Sequence, residues 1–138
     1  MRVLYFDSSA LLKRVLAEAE SERLADAMLR EGDAGSTLVT SRLAEVEVAR
    51  ALQVYEGDLP AGLLSADALS GVAIAPLHDA VLAFARTIGP RRLRSLDALH
   101  LATAVALGAH ELWTYDDRLA RGAEQVGIRV SAPGRVPS

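Results

Sequence analysis

Apolar and polar positions fall into alternating blocks along this chain. Val3 to Phe6 is a short apolar run suited to a buried strand, and Ser8 to Leu16 and Ser21 to Arg30 follow as two helices with mixed faces. Thr37 to Val39 reads as a second strand, running into Thr40 and Ser41, two good N-cap residues, before a helix from Arg42 to Tyr55. Gly57, Pro60 and Gly62 break the pattern, after which a helix over Leu63 to Leu69 and a third strand over Val72 to Ala75 are expected. Helices over Ala80 to Ile88 and Leu96 to Leu107, a strand over Leu112 to Thr114, a helix over Arg118 to Val126 and a strand over Ile128 to Val130 complete the series. Strands separated by helices imply an α/β fold with a parallel sheet. No repeat, low-complexity tract or linker divides the chain. Residues 1–132 are therefore expected to form one domain, with 133–138, which hold Pro133, Gly134 and Pro137, as a loose C-terminal tail.

Composition narrows the chemistry. With 138 residues and 51% hydrophobic content, one domain can bury a real core. Cysteine is absent, which removes disulfide frameworks, thiolate zinc sites and cysteine nucleophiles. No signal peptide or apolar run of membrane-spanning length is visible, so a cytoplasmic protein is expected, without a membrane partner. The net charge of −3 argues against a broadly basic surface, so any polyanionic substrate must be met by a local patch.

Four acidic residues stand where a carboxylate is costly unless something positive meets it. Asp7 ends the first strand, at the carboxyl edge where open α/β sheets place ligands; the competing reading is that it caps the next helix. On the helix from Arg42, Glu47 falls inside the apolar arc that runs through Leu43, Ala44, Val48, Ala51, Leu52, Val54 and Tyr55, whereas Glu45 projects to the side shared with Arg42. An ion pair with Arg50 at i+3 is the alternative for Glu47, and a solvated charge is expected of Glu45. Asp97 shares a stripe with Leu101, Ala104 and Gly108; alternatively Ser95 caps that helix and Asp97 complements its dipole, or His100 pairs with it. Asp116 lies nearest the end of the Leu112 strand, and Asp117 is the better candidate to cap the helix from Arg118. Ser9 and Thr114, small hydroxyls beside the two strand-end acids, can orient carboxylates.

Taken together, two acids on buried helix faces and two at strand ends lack an abundant basic partner. Two like charges 4 Å apart repel by about 4 kcal/mol at an effective dielectric near 20, so such a cluster protonates in part or binds a cation. All-oxygen ligation, with no cysteine and no paired histidines among His78, His100 and His110, favours Mg2+ or Mn2+ over zinc.

Four segments in order resemble the PIN-domain family, and most closely its VapC-like toxin ribonucleases. They are Tyr5-Phe6-Asp7-Ser8-Ser9-Ala10-Leu11 with Lys13; Thr40-Ser41-Arg42-Leu43 leading to Val46-Glu47-Val48 and Arg50-Ala51-Leu52; Leu96-Asp97-Ala98-Leu99-His100-Leu101-Ala102-Thr103-Ala104; and Leu112-Trp113-Thr114-Tyr115-Asp116-Asp117-Arg118-Leu119. The match spans Val3 to Val130. It implies a three-layer α/β/α sandwich around a central, mainly parallel sheet of four to five strands. It also implies Mg2+-dependent cleavage of single-stranded RNA, with Asp7, Glu47, Asp97 and Asp116 as catalytic metal ligands and Ser9 and Thr114 in support. Toxins of this kind are held by a VapB-like antitoxin and form homodimers. Phosphate contacts are expected from Arg91, Arg92 and Arg94, just before Asp97, and more weakly from Lys13 and Arg14.

Two other functions compete. A receiver-like phosphoacceptor also uses magnesium and a strand-end aspartate, but wants an acidic pair after the first strand and a late lysine; here Asp7 is followed by Ser8 and the only lysine is Lys13. A PIN-like fold kept as an RNA-binding or scaffold module gains nothing from a repulsive acidic cluster.

Overall fold

The computed structural model describes residues 1–55 and 57–136. Chain order is β1 (Val3–Phe6), α1 (Ser8–Lys13), α2 (Ser21–Asp33), β2 (Thr37–Ser41), α3 (Arg42–Gln53), α4 (Ala61–Leu69), β3 (Ala73–Ala75), α5 (Asp79–Ala85), α6 (Ser95–Ala106), β4 (Glu111–Trp113), α7 (Asp117–Gln125) and β5 (Arg129–Ser131). The five strands form one sheet in the order β3-β2-β1-β4-β5, and every adjacent pair is parallel.

Period-two alternation in β1 divides the core into two layers. Leu4 and Phe6 face one side, with Leu11, Leu24, Val48, Leu52, Leu64 and Trp113, where α1 to α4 pack. Tyr5 faces the other, with Val81, Leu101, Leu112, Leu119 and Ala123, where α5 to α7 pack. The result is the expected α/β/α sandwich. Because β1 is central and buried on both faces, it reads as an unbroken apolar run rather than an alternating one.

The order of the strands determines where a ligand can sit. From β1 the chain runs outward through β2 and β3, then returns to β4 on the opposite side of β1. The carboxyl ends of β1 and β4 therefore flank the point where the winding reverses, which in open parallel sheets leaves a crevice. Asp7 and Thr114 immediately follow these two strands, and Asp7 N–H donates to Trp113 O at 3.2 Å across the gap.

The elements depart from expectation mainly at helix ends. The first helix stops at Lys13 rather than Leu16, where Ser21 Oγ lies 2.8 Å from Lys13 O and 2.9 Å from Leu16 O and satisfies carbonyls a longer helix would have used. The third ends at Gln53, so Val54 and Tyr55 leave the expected apolar arc and are exposed. The start of the expected loose tail is docked. Tyr115 Oη donates to Pro133 O at 2.7 Å, and Arg135 donates to Tyr115 O and Asp117 Oδ1, each at 2.8 Å; Pro137 lies outside the described residues. Among the described residues no helix is long and apolar enough to cross a membrane.

Candidate functional site

Asp7, the first candidate site residue, also caps α1. Its backbone is extended and its Oδ1 accepts from Ala10 N–H at 3.0 Å, starting α1, while Ser9 Oγ donates to the same oxygen at 2.7 Å. Thr114 Oγ1 donates to Oδ2 at 2.6 Å, tying the end of β1 to the end of β4. Ser9 Oγ in turn accepts from Tyr115 N–H at 2.9 Å, and Thr114 Oγ1 from Asp116 N–H at 3.0 Å. Ser9 and Thr114 thus orient the buried Asp7 carboxyl and link it to the loop that carries Asp116. Burial pushes the Asp7 carboxyl above its ordinary range; His100 and the hydrogen bonds from Thr114, Ser9 and Ala10 oppose the shift without cancelling it.

Glu47, half-buried on α3, does not pair with Arg50. Its Oε1 lies 2.6 Å from His100 Nε2 and accepts from Ser8 Oγ at 2.5 Å, which leaves Oε2 without a donor among the described residues. The other nitrogen of His100, Nδ1, lies 2.7 Å from Tyr5 Oη. Burial raises the Tyr5 phenol, so it remains a hydroxyl beside Nδ1, and the two ring nitrogens of His100 bridge Tyr5 to Glu47. Burial alone would raise Glu47, but the His100 and Ser8 hydrogen bonds and the His100 charge hold it below the usual carboxylate range. Glu45 takes the expected solvated role, 2.7 Å from Arg42 Nη1.

Asp97 and Asp116 complete the group. Arg94, not Ser95, occupies the N-cap of α6, and Asp97 stands in the first turn with no hydrogen bond from any described residue. Burial raises its carboxyl, and the charge of Asp116, then those of Asp7 and Glu47, raise it further against the opposing effect of His100. Asp116 caps α7, its Oδ1 accepting from Arg118 N–H at 2.8 Å and Leu119 N–H at 3.1 Å; Asp117, expected in that role, instead pairs with Arg135. Four acids from β1, α3, α6 and the loop after β4 therefore share one electrostatic neighbourhood. Among the described residues no three of them close into a ready-made metal cage. The donor chemistry nevertheless fits a hard dication: oxygen only, partly free of hydrogen bonds, and mutually repelling.

The PIN domain family matches residues 4–125 of the sequence. The chain belongs to that family. Ribonuclease VapC47 of Mycobacterium tuberculosis is 38% identical over 137 residues, covering 97% of this chain and 99% of its own. A crystal structure of the M. tuberculosis VapC20 toxin, described as cleaving the sarcin-ricin loop, superposes with a TM-score of 0.70 at 15% identity, over 91% of this chain and 95% of that one. VapBC2 of Rickettsia felis, solved with a DNA fragment from its promoter, gives 0.70 at 11% identity over 94% and 97%.

The basic residues of this PIN domain are divided between structure and surface. Lys13 is buried and fully engaged. Its Nζ lies 2.7 Å from Glu20 and 3.3 Å from Glu18 and sits 4.6 Å from the centre of the Tyr115 ring, so it is not free to meet RNA. Arg14 is likewise committed, donating to Ala68 O and Ser70 O at 2.8 Å. Arg91, Arg92 and Arg94 are exposed and form no ion pair with a described residue. The sequence offered His100 only as an alternative partner of Asp97, and the contacts of His100 and Ser8 with Glu47 were not foreseen. A histidine on the buried face of an apolar helix demands polar partners, and that demand was the available signal.

Proposed function

We propose that this PIN domain is a Mg2+-dependent endoribonuclease that cleaves single-stranded RNA and acts as the toxin of a toxin–antitoxin pair. The observation that carries the reading is the Asp97 carboxyl, which receives no hydrogen bond from a described residue and is raised first by burial, then by the charge of Asp116 and, less, by those of Asp7 and Glu47, against the opposing effect of His100. A fold alone has no use for such an arrangement; a cation removes its cost. The similarity to Ribonuclease VapC47 along nearly the whole chain supports the same reading.

Asp7, Glu47, Asp97 and Asp116 would hold the ion, Mg2+ or Mn2+. When bound, such an ion supplies a more acidic water and charge neutralisation on the phosphoryl oxygens. The chain's own residues do the positioning. Ser9 and Thr114 keep Asp7 in one orientation, His100 and Ser8 occupy Oε1 of Glu47 and leave Oε2 available, and Asp116 is held by the amides that begin α7. Arg91, Arg92 and Arg94, on the approach to α6, draw the RNA backbone toward a site that would otherwise repel it. A VapB-like antitoxin is the proposed partner. An apolar groove of about 810 Å³ between α2 and α4, lined by Met28, Leu29, Leu38, Leu59 and Leu64, suits a helix of such a protein. A homodimer in the cytoplasm is the proposed active form.

A cleavage assay on single-stranded RNA, in Mg2+ and in EDTA, tests the enzyme. Cleavage confined to the parent protein in Mg2+ is expected, with Asp7→Asn and Asp97→Asn inactive. Equal residual cleavage in all three proteins sinks the proposal.

A further inference from the structure

Three exposed arginines from two stretches of chain line one open surface cavity of about 260 Å³. Arg92 comes from the loop before α6, and Arg118 and Arg121 come from α7; Pro90, Leu93 and Gln125 complete the walls. No carboxylate lines the cavity, and none of the three arginines forms an ion pair with a described residue. Three guanidinium side chains around one cavity, unpaired among the described residues and with no carboxylate in the lining, offer charge-assisted hydrogen bonds to an anion.

The gathering is built into the packing. Leu93 is wedged between the loop and α7. A Cβ added to Gly122 would stand 3.3 Å from Leu93 Cδ1, and one added to Gly89 would stand 3.1 Å from Leu93 Cδ2. The loop can approach the helix this closely because Gly122 has no side chain, and the approach brings Arg92 to the face of α7 that carries positions 118, 121 and 125 at helical spacing. The same two segments lead directly into the acidic group. Arg94 caps α6 ahead of Asp97, and Asp116 caps α7 ahead of Arg118. Arg121 lies five residues beyond Asp116, about 7.5 Å further along the helix axis.

We propose that Arg92, Arg118 and Arg121 form a phosphate subsite that holds the RNA backbone beside the scissile bond. The inference rests on the ribonuclease reading and extends it to residues outside the acidic group. The subsite fixes register on the strand and carries no base preference, since guanidinium groups meet phosphate oxygens that every nucleotide shares. It accounts for how a chain of net charge −3 grips a polyanion next to four carboxylates.

The experiment measures the affinity of a short fluorescein-labelled single-stranded RNA in EDTA, where no cleavage occurs, across a series of salt concentrations. The proteins are the parent, Arg92→Ala/Arg121→Ala, Arg121→Lys and, as a surface control on α2, Arg30→Ala. Loss of one phosphate contact should reduce the slope of log affinity against log salt by about 0.7 in the double variant. The same variant should raise KM for RNA by about tenfold while kcat stays within about twofold, because the subsite positions substrate without touching the reacting atoms. Arg121→Lys should retain most of the slope, and Arg30→Ala all of it. A double variant with the salt slope and KM of the parent overturns the subsite while leaving the ribonuclease reading intact. A parent that neither binds nor cleaves RNA overturns both.

Discussion

His100 Nε2 stands 2.6 Å from Glu47 Oε1, joining α6 to α3 across 53 residues of sequence. The imidazole is buried, and its Nδ1 is occupied by the Tyr5 hydroxyl, so its direction is set by the core. A hydrogen-bonded partner that orients a ligating side chain is a common feature of metal sites. In the proposed site the usual order would be reversed, with histidine supporting the carboxylate.

Removing that support should cost stability and precision together. His100→Ala leaves the Tyr5 hydroxyl unpaired in the core and releases Oε1 of Glu47, so a loss of about 1–3 kcal/mol in urea unfolding is expected. His100→Gln, which can still donate to Glu47, should recover part of it. A His100→Ala protein as stable as the parent would show that the contact contributes nothing.

Divalent ions should raise the melting temperature of the parent, because only the folded chain gathers the acids; at an ion concentration of 100 Kd the gain is about 2.7 kcal/mol. Glu47→Gln should weaken this shift more than Glu45→Gln, since Glu45 is paired with Arg42 on the surface. Thermal unfolding with and without MgCl2 decides the matter, and the opposite order would overturn the choice of Glu47.

Without metal, Asp7 should work against the fold at neutral pH. Burial raises its folded carboxyl above the ordinary aspartate value, so its stabilising effect is complete below that value and is lost as pH rises through the folded one. In EDTA at pH 7, Asp7→Asn should therefore melt several degrees above the parent. The gap should close as pH falls toward about 4, where an ordinary aspartate protonates. Asp97, raised by burial and then by the charge of Asp116, titrates in the same direction. A parent that melts higher than Asp7→Asn in EDTA at pH 7 would mean that its hydrogen bonds outweigh burial.

Two helical glycines should respond in opposite ways to a side chain. Gly32, on α2, has nothing within 4 Å of an added Cβ, so Gly32→Ala should stabilise by up to about 1 kcal/mol through helix propensity. Gly122→Val forces a branched side chain against Leu93 and should cost about 1–3 kcal/mol. It should also raise KM for RNA by displacing Arg92. Equal effects of the two substitutions on unfolding would remove the argument for a tight approach of loop and helix.

The alternation of strand and helix, the parallel sheet and the strand-end positions of Asp7 and Asp116 were legible in the order of residues, because period and capping are local properties that neighbouring side chains impose. The helix ends at Lys13 and Gln53 were less so, since the carbonyls at the first are taken by Ser21, eight residues on from Lys13, rather than by a C-cap signal. Tertiary structure alone decided the rest. It gave Glu47 to His100 instead of Arg50, buried Lys13 against Glu20 and Tyr115, and placed Arg92 and Arg121 on one cavity. Contacts of this kind depend on how elements dozens of residues apart pack face to face, and no local pattern in a single chain encodes which charged group will find which partner once the core has closed.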